Sequence, residues 1–288
     1  INATVLDNVN ASPKILSADY LVKVAKLADI FRPYGIKVYL AVNFSSPMEL
    51  GKTADADPLR PEVRTWWKEK VSEIYKLIPD FGGFLVKANS EGLPGPLDYG
   101  RSHAEGANML AEALKPYNGI VMWRAFVYSP SDADRAKQAY LEFEPHDGEF
   151  ADNVIIQIKN GPIDFQPREP ISPLFAAMPN TQVMAELQIT QEYTGHSNHI
   201  CFLPNMWLEP MWQKTSVDEN STVADITMQH IKGAPSAIAG VTNIGDMDNW
   251  CGNTMAQANW YAFGRLSWDM TMSSDEIARE WIKQTFVD

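Results

Sequence analysis

Seven short β-rich runs, at 3–9, 36–43, 83–88, 119–127, 153–159, 181–188 and 236–242, are separated by longer segments with apolar residues three and four apart. This alternation predicts a parallel sheet joined by crossover helices. Helical periodicity is clearest from Asp19 to Phe31, Pro61 to Leu77, Ala104 to Leu114 and Asp134 to Phe143. Pro61 stands where a first-turn proline loses no helical hydrogen bond. An open doubly wound sheet normally has a glycine-rich turn after its first strand, and Asp7-Asn8-Val9-Asn10-Ala11-Ser12 contains no glycine. The pattern therefore predicts an α/β fold of the TIM (β/α)8 barrel type, and 288 residues with 45% apolar content suffice to build it as one domain.

The net charge of −12 opposes a nucleic-acid surface or an anionic membrane surface, both of which need clustered Lys and Arg. No apolar run approaches the length of a membrane span. Cys201 and Cys251 lie in no CxxC arrangement and leave the redox compartment open. The first residues, Ile-Asn-Ala-Thr-Val-Leu, read as a strand. Ser273-Ser274-Asp275-Glu276 reads as a helix cap. Both ends are expected to belong to a longer protein, with residues 1–272 forming the barrel and 273–288 beginning a helical C-terminal domain.

Charges interrupt the apolar strands at their C-terminal ends, where barrels keep their reactive groups. Side chains alternate along a strand, so Leu85, Lys87 and Asn89 share one face while Phe84, Val86 and Ala88 share the other. The same parity turns Arg124 and Lys159 inward. An isolated ammonium there is costly without an anion or a wet cleft. The three cations would pair with Glu91, Asp164 and Glu192 as a structural network, or together hold an anionic substrate beside acid and base groups.

Glu91 is followed by Gly92, Pro94, Gly95 and Pro96, a rigid loop suited to a partly desolvated carboxyl acting as general acid. Asp164 and Glu192 come from other strand ends and are placed to share a water. Read singly, Asp164 is equally a turn cap before Pro167, and Glu192 a surface acid. Histidines 103, 196 and 199 form no metal-binding pattern, and no metal or cofactor is expected. Trp207, Trp212 and Trp250 fall in predicted loops and are candidates for stacking on sugars.

Gly83-Phe-Leu-Val-Lys-Ala-Asn-Ser-Glu-Gly92, Val121-Met-Trp-Arg-Ala-Phe-Val-Tyr128, Lys159-Asn-Gly-Pro-Ile-Asp-Phe-Gln-Pro-Arg-Glu-Pro170, Gln188-Ile-Thr-Gln-Glu-Tyr193 and Gln257-Ala-Asn-Trp-Tyr-Ala-Phe-Gly-Arg265 together resemble the family 67 α-glucuronidases across nearly the whole chain. The resemblance implies hydrolysis, with inversion, of the α-1,2 bond between (4-O-methyl)glucuronic acid and the non-reducing terminal xylose of xylo-oligosaccharides. It implies Glu91 as general acid, Asp164 and Glu192 as the pair activating water, and Lys87, Arg124 and Lys159 as substrate-binding residues. It also implies flanking domains, a first barrel strand before Ile1, and homodimers of the full-length protein. Two other readings are a non-catalytic carbohydrate-binding fragment and a barrel lyase using Lys87 or Lys159 as a Schiff-base lysine.

Overall fold

The computed structural model describes residues 1–6, 11–89, 92–126, 134–167, 169–195, 198–229, 231 and 235–286. Strands β1 (Ala3–Leu6), β2 (Lys37–Val42), β3 (Gly83–Val86), β4 (Ile120–Arg124), β5 (Val154–Lys159), β6 (Val183–Gln188) and β7 (Ile238–Val241) form one sheet in sequential order. Every neighbouring pair is parallel. All seven strands fall on the expected runs. Among the described residues β1 and β7 are not paired with each other, so the architecture is a seven-stranded parallel α/β sheet with two edges. Strand β3 stops at Val86 rather than reaching residue 88. Asn89, three residues on, takes a positive φ of 53° that no strand accommodates.

The helices are α1 (Ala18–Phe31), α2 (Ser46–Glu49), α3 (Pro61–Leu77), α4 (His103–Leu114), α5 (Arg135–Phe143), α6 (Pro204–Trp212), α7 (Val223–Met228), α8 (Gln257–Trp268) and α9 (Ser274–Thr285). Pro61 occupies the first turn of α3, as its fixed φ favours. Helix α9 begins with the expected cap: the Ser273 hydroxyl accepts from the Glu276 N–H, and the Glu276 carboxylate accepts from the Ser273 N–H. Helix α6 lies inside the stretch expected to be loop, because Pro204 and Pro210 mask its periodicity. The expectation of a helix after every strand fails between β5 and β6. The described residues of that crossover form turns and bends, and Pro162, Pro167, Pro170 and Pro173 deny it the N–H donors a helix needs.

Strand parity divides the sheet into two unlike faces. Phe84, Val86, Val121, Trp123, Val154, Ile156, Ile158, Val183, Ala185 and Leu187 are buried in the main core with Trp67, Val71 and Leu110 of the helices. Each fully buried Leu, Ile, Val or Phe contributes about 1.5–3 kcal/mol. The other face carries a small apolar layer of Ile155 and Met184 against Met122 and Ala239. Nearer the C-terminal ends of the same strands it presents Arg124, Gln157, Lys159, Glu186 and Gln188, all buried.

Candidate active site

The deepest polar contact joins β4 to β6 across β5. Arg124 donates from Nε to Glu186 Oε2 at 2.8 Å and from Nη2 to Glu186 Oε1 at 2.5 Å, while Gln157 Nε2 donates to Oε2 at 2.5 Å. The two charged side chains are 3% and 1% exposed. Burial alone would raise the Glu186 carboxyl. The Arg124 guanidinium, the Lys159 charge and the Gln157 bond outweigh it and hold Glu186 below the usual carboxylate range. Sequence reasoning missed Glu186 as a partner, although it shares inward parity with Arg124 and Lys159 in an otherwise largely apolar strand. Of the carboxylates expected to pair with Arg124, neither Asp164 nor Glu192 takes that place.

Lys159, the last residue of β5, pairs with Asp164 in the turn that follows, Nζ to Oδ1 at 2.9 Å. Asp164 Oδ1 also accepts from the Phe165 N–H at 3.1 Å, and Oδ2 accepts from the Tyr193 hydroxyl at 2.5 Å. The Lys159 ammonium lies 3.6 Å from the Phe126 ring centroid and 4.7 Å from that of Phe165. Lys87 Nζ lies 5.6 Å from the centroid of the same Phe126 ring, so the cation after β3 and the one ending β5 converge on one aromatic ring. Arg124 ends the strand between them. Burial pulls the Lys159 ammonium below its ordinary value against the opposing pull of Glu186 and Asp164. Burial pushes Asp164 up, but the Tyr193 hydroxyl and Lys159 win and leave its carboxyl below the usual range.

Glu192 is held differently, by neutral amides. Gln188 Nε2 donates to Oε2 at 2.7 Å and Asn243 Nδ2 to Oε1. Tyr193, which follows Glu192 directly, bonds to Asp164 and so ties the segment after β6 to the turn after β5. Tyr193, Gln188 and Asn243 were not picked out from the sequence. Only the Gln-Ile-Thr-Gln-Glu-Tyr motif pointed toward the first two.

Glu91 lies outside the described residues, and so does His196. Among the described residues nearby, Asn89 Nδ2 donates to Asp98 Oδ2 at 2.6 Å, and the Gly95 N–H donates to the same oxygen at 2.8 Å. A Cβ at Gly95 would run into the Asn89 side chain, so that position requires glycine. His103 is buried at the start of α4, with Trp123 Nε1 donating to its Nδ1 at 3.3 Å and Glu142 Oε2 3.2 Å from its Nε2. The cap of α4 is Ser102. Trp207 is no sugar platform, since it is buried on α6 with Nε1 donating to the Gln188 carbonyl at 2.9 Å. Trp212 and Trp250 are exposed. Both cysteines are free thiols.

The model of the glycosyl hydrolase family 67 middle domain matches residues 1–250. The chain belongs to that family. A second model, the family 67 C-terminus, matches residues 251–288. Alpha-glucuronidase A of Emericella nidulans is 47% identical over 99% of this chain, and alpha-glucuronidase of Hypocrea jecorina is 45% identical over the same share. The chain spans 35% of the length of each of these curated relatives. Lys87, Arg124, Lys159, Asp164 and Glu192 all lie within the stretch matched by the family 67 middle domain.

Proposed function

We propose that this chain carries the catalytic centre of an inverting α-glucuronidase. Its substrate is the α-1,2 bond between (4-O-methyl)glucuronic acid and the non-reducing terminal xylose of xylo-oligosaccharides. The observation that carries the reading is the gathering of Lys87, Arg124 and Lys159 at three adjacent strand ends of an acidic protein, beside an Asp164 held ionised. Such a cluster suits a uronic carboxylate, with the two Lys ammonium groups acting as point charges and Arg124, whose Nε–Nη2 edge is taken by Glu186, adding to the positive surroundings.

In this reading Glu91 protonates the leaving xylose oxygen while Asp164 or Glu192 takes a proton from water on the opposite face of the sugar. The mechanism needs acid and base carboxyls about 6.5–9.5 Å apart, whereas a retaining enzyme holds its pair at about 5–5.5 Å. Residues 1–272 then form most of a (β/α)8 barrel whose remaining strand lies between β7 and β1, and residues 273–288 open a helical C-terminal region. Family membership and the alpha-glucuronidase relatives support this reading.

Proton NMR during hydrolysis of 4-O-methylglucuronosyl xylotriose tests it. The β-anomer of the free acid is expected first, and initial α-anomer overturns inversion. Binding without release from folded chain favours the non-catalytic fragment. The lowered Lys159 ammonium favours a second reading, a Schiff-base lyase, for which borohydride would trap a carbonyl substrate on Lys159.

A further inference from the structure

The turn bearing Asp164 is fastened by a second carboxylate that the proposed chemistry does not use. Glu169 Oε1 accepts from the Ile163 N–H at 2.6 Å and from the Asp164 N–H at 3.3 Å, and its Oε2 accepts from the Asp164 N–H at 3.2 Å. Pro162 has no N–H to offer, so these amides are the first donors after Gly161. A Cβ on Gly161 would collide with the Glu169 carboxylate. Glycine there is what lets the acid reach the backbone. The base of the turn is anchored separately: the Ser172 N–H donates to the Asn160 carbonyl at 2.9 Å, and the Asn160 N–H donates to the Glu186 carbonyl at 3.1 Å.

We propose that Glu169 is the positioning residue for Asp164, fixing the backbone of the 161–165 turn so that the Asp164 carboxylate meets Lys159 and Tyr193. The catalytic part of this proposal rests on the glucuronidase reading; the fastening of the turn does not. Two acids within six residues are kept in opposed surroundings. Asp164 answers to a cation and a hydroxyl, Glu169 to backbone amides, and burial together with the Asp164 charge holds the Glu169 carboxyl above the usual range. A mere turn cap would need neither the half-buried like charge nor the glycine opposite it. Placing a reacting group accurately gives a reason to tolerate both, since a displacement of about 1 Å costs on the order of 100-fold in rate.

The test compares the wild-type chain with Glu169→Ala and Glu169→Gln by hydrogen exchange at the Ile163 and Asp164 amides and by kcat and KM on the aldouronic substrate. Glutamine keeps one oxygen that accepts from both amides. Expected in Glu169→Ala are loss of amide protection by about tenfold or more and a kcat drop of about 100-fold, with KM little changed. Glu169→Gln should keep its protection and stay within about tenfold of wild-type kcat. Its acid limb should move to lower pH, because a negative neighbour of Asp164 is gone. Unchanged protection in Glu169→Ala, or lost protection with wild-type kcat, overturns the proposal. If Glu169→Ala does not fold, Glu169→Asp, one methylene shorter, makes the same comparison. If the wild-type chain releases no uronic acid, the glucuronidase reading fails, and the amide protection still decides whether Glu169 fastens the turn.

Discussion

Two ion pairs stand on the same face of the sheet and are built to opposite ends. Arg124 and Glu186 meet through two bonds with Gln157 adding a third, almost without exposure. Lys159 and Asp164 meet through one bond, with Asp164 a quarter exposed and its other oxygen held by the exposed Tyr193 side chain. A closed pair of this kind, bonded twice from strand to strand, holds strands in register, whereas an open pair can exchange its partner for a ligand. A cation and an acid thus form a closed pair within the sheet and an open one at its rim.

The largest effect should come from breaking the closed pair. Glu186→Ala leaves the Arg124 guanidinium buried without its carboxylate and is expected to cost about 3–5 kcal/mol, read as a lowered urea midpoint. Replacing both residues by well-packed apolar ones should restore much of that loss. The open pair should respond the other way. Asp164→Asn is expected to reduce kcat by about 100- to 10,000-fold while shifting the urea midpoint far less than Glu186→Ala; equal losses of stability would erase the distinction between the pairs.

Acid titration sharpens the contrast. The folded Asp164 carboxyl sits below its unfolded value, so its ionisation adds stability that is complete above about pH 4 and disappears as pH falls through the lower folded value. The stability gap between wild type and Asp164→Asn should therefore close on acidification, measured by urea unfolding across that range. The smallest effect is expected from Tyr193→Phe. It removes one donor to Asp164, so the acid limb of the rate profile should move to higher pH with little change in stability. An unmoved limb would mean that the hydroxyl does not tune the acid.

The fold was legible in the sequence because it rests on strand parity and helix period, which local residues express. All seven strands and the four clearest helices lie where those periods place them. The β5–β6 crossover was not legible, since prolines there suppress helix without announcing what replaces it. At the site, strand parity brought Lys87, Arg124 and Lys159 inward correctly, but partner choice is a matter of three dimensions. Arg124 reaches 62 residues along the chain to Glu186, and Tyr193 reaches back 29 to Asp164. No local pattern carries such pairings. Trp207 misled for a related reason: its helix is masked by Pro204 and Pro210, so a core tryptophan looked like a loop aromatic.

The Phe126 ring, shared by Lys87 and Lys159, has a consequence for selectivity. An aromatic ring attracts both ammonium groups without cancelling either charge, whereas a carboxylate in its place would act as a built-in competitor for any incoming acid. At Lys159 the ring stands beside Asp164, so one neighbour of the ammonium can stay in place while the other is exchanged. In the glucuronidase reading, a carbon surface therefore shares with the two ammonium groups the task of favouring an anionic guest.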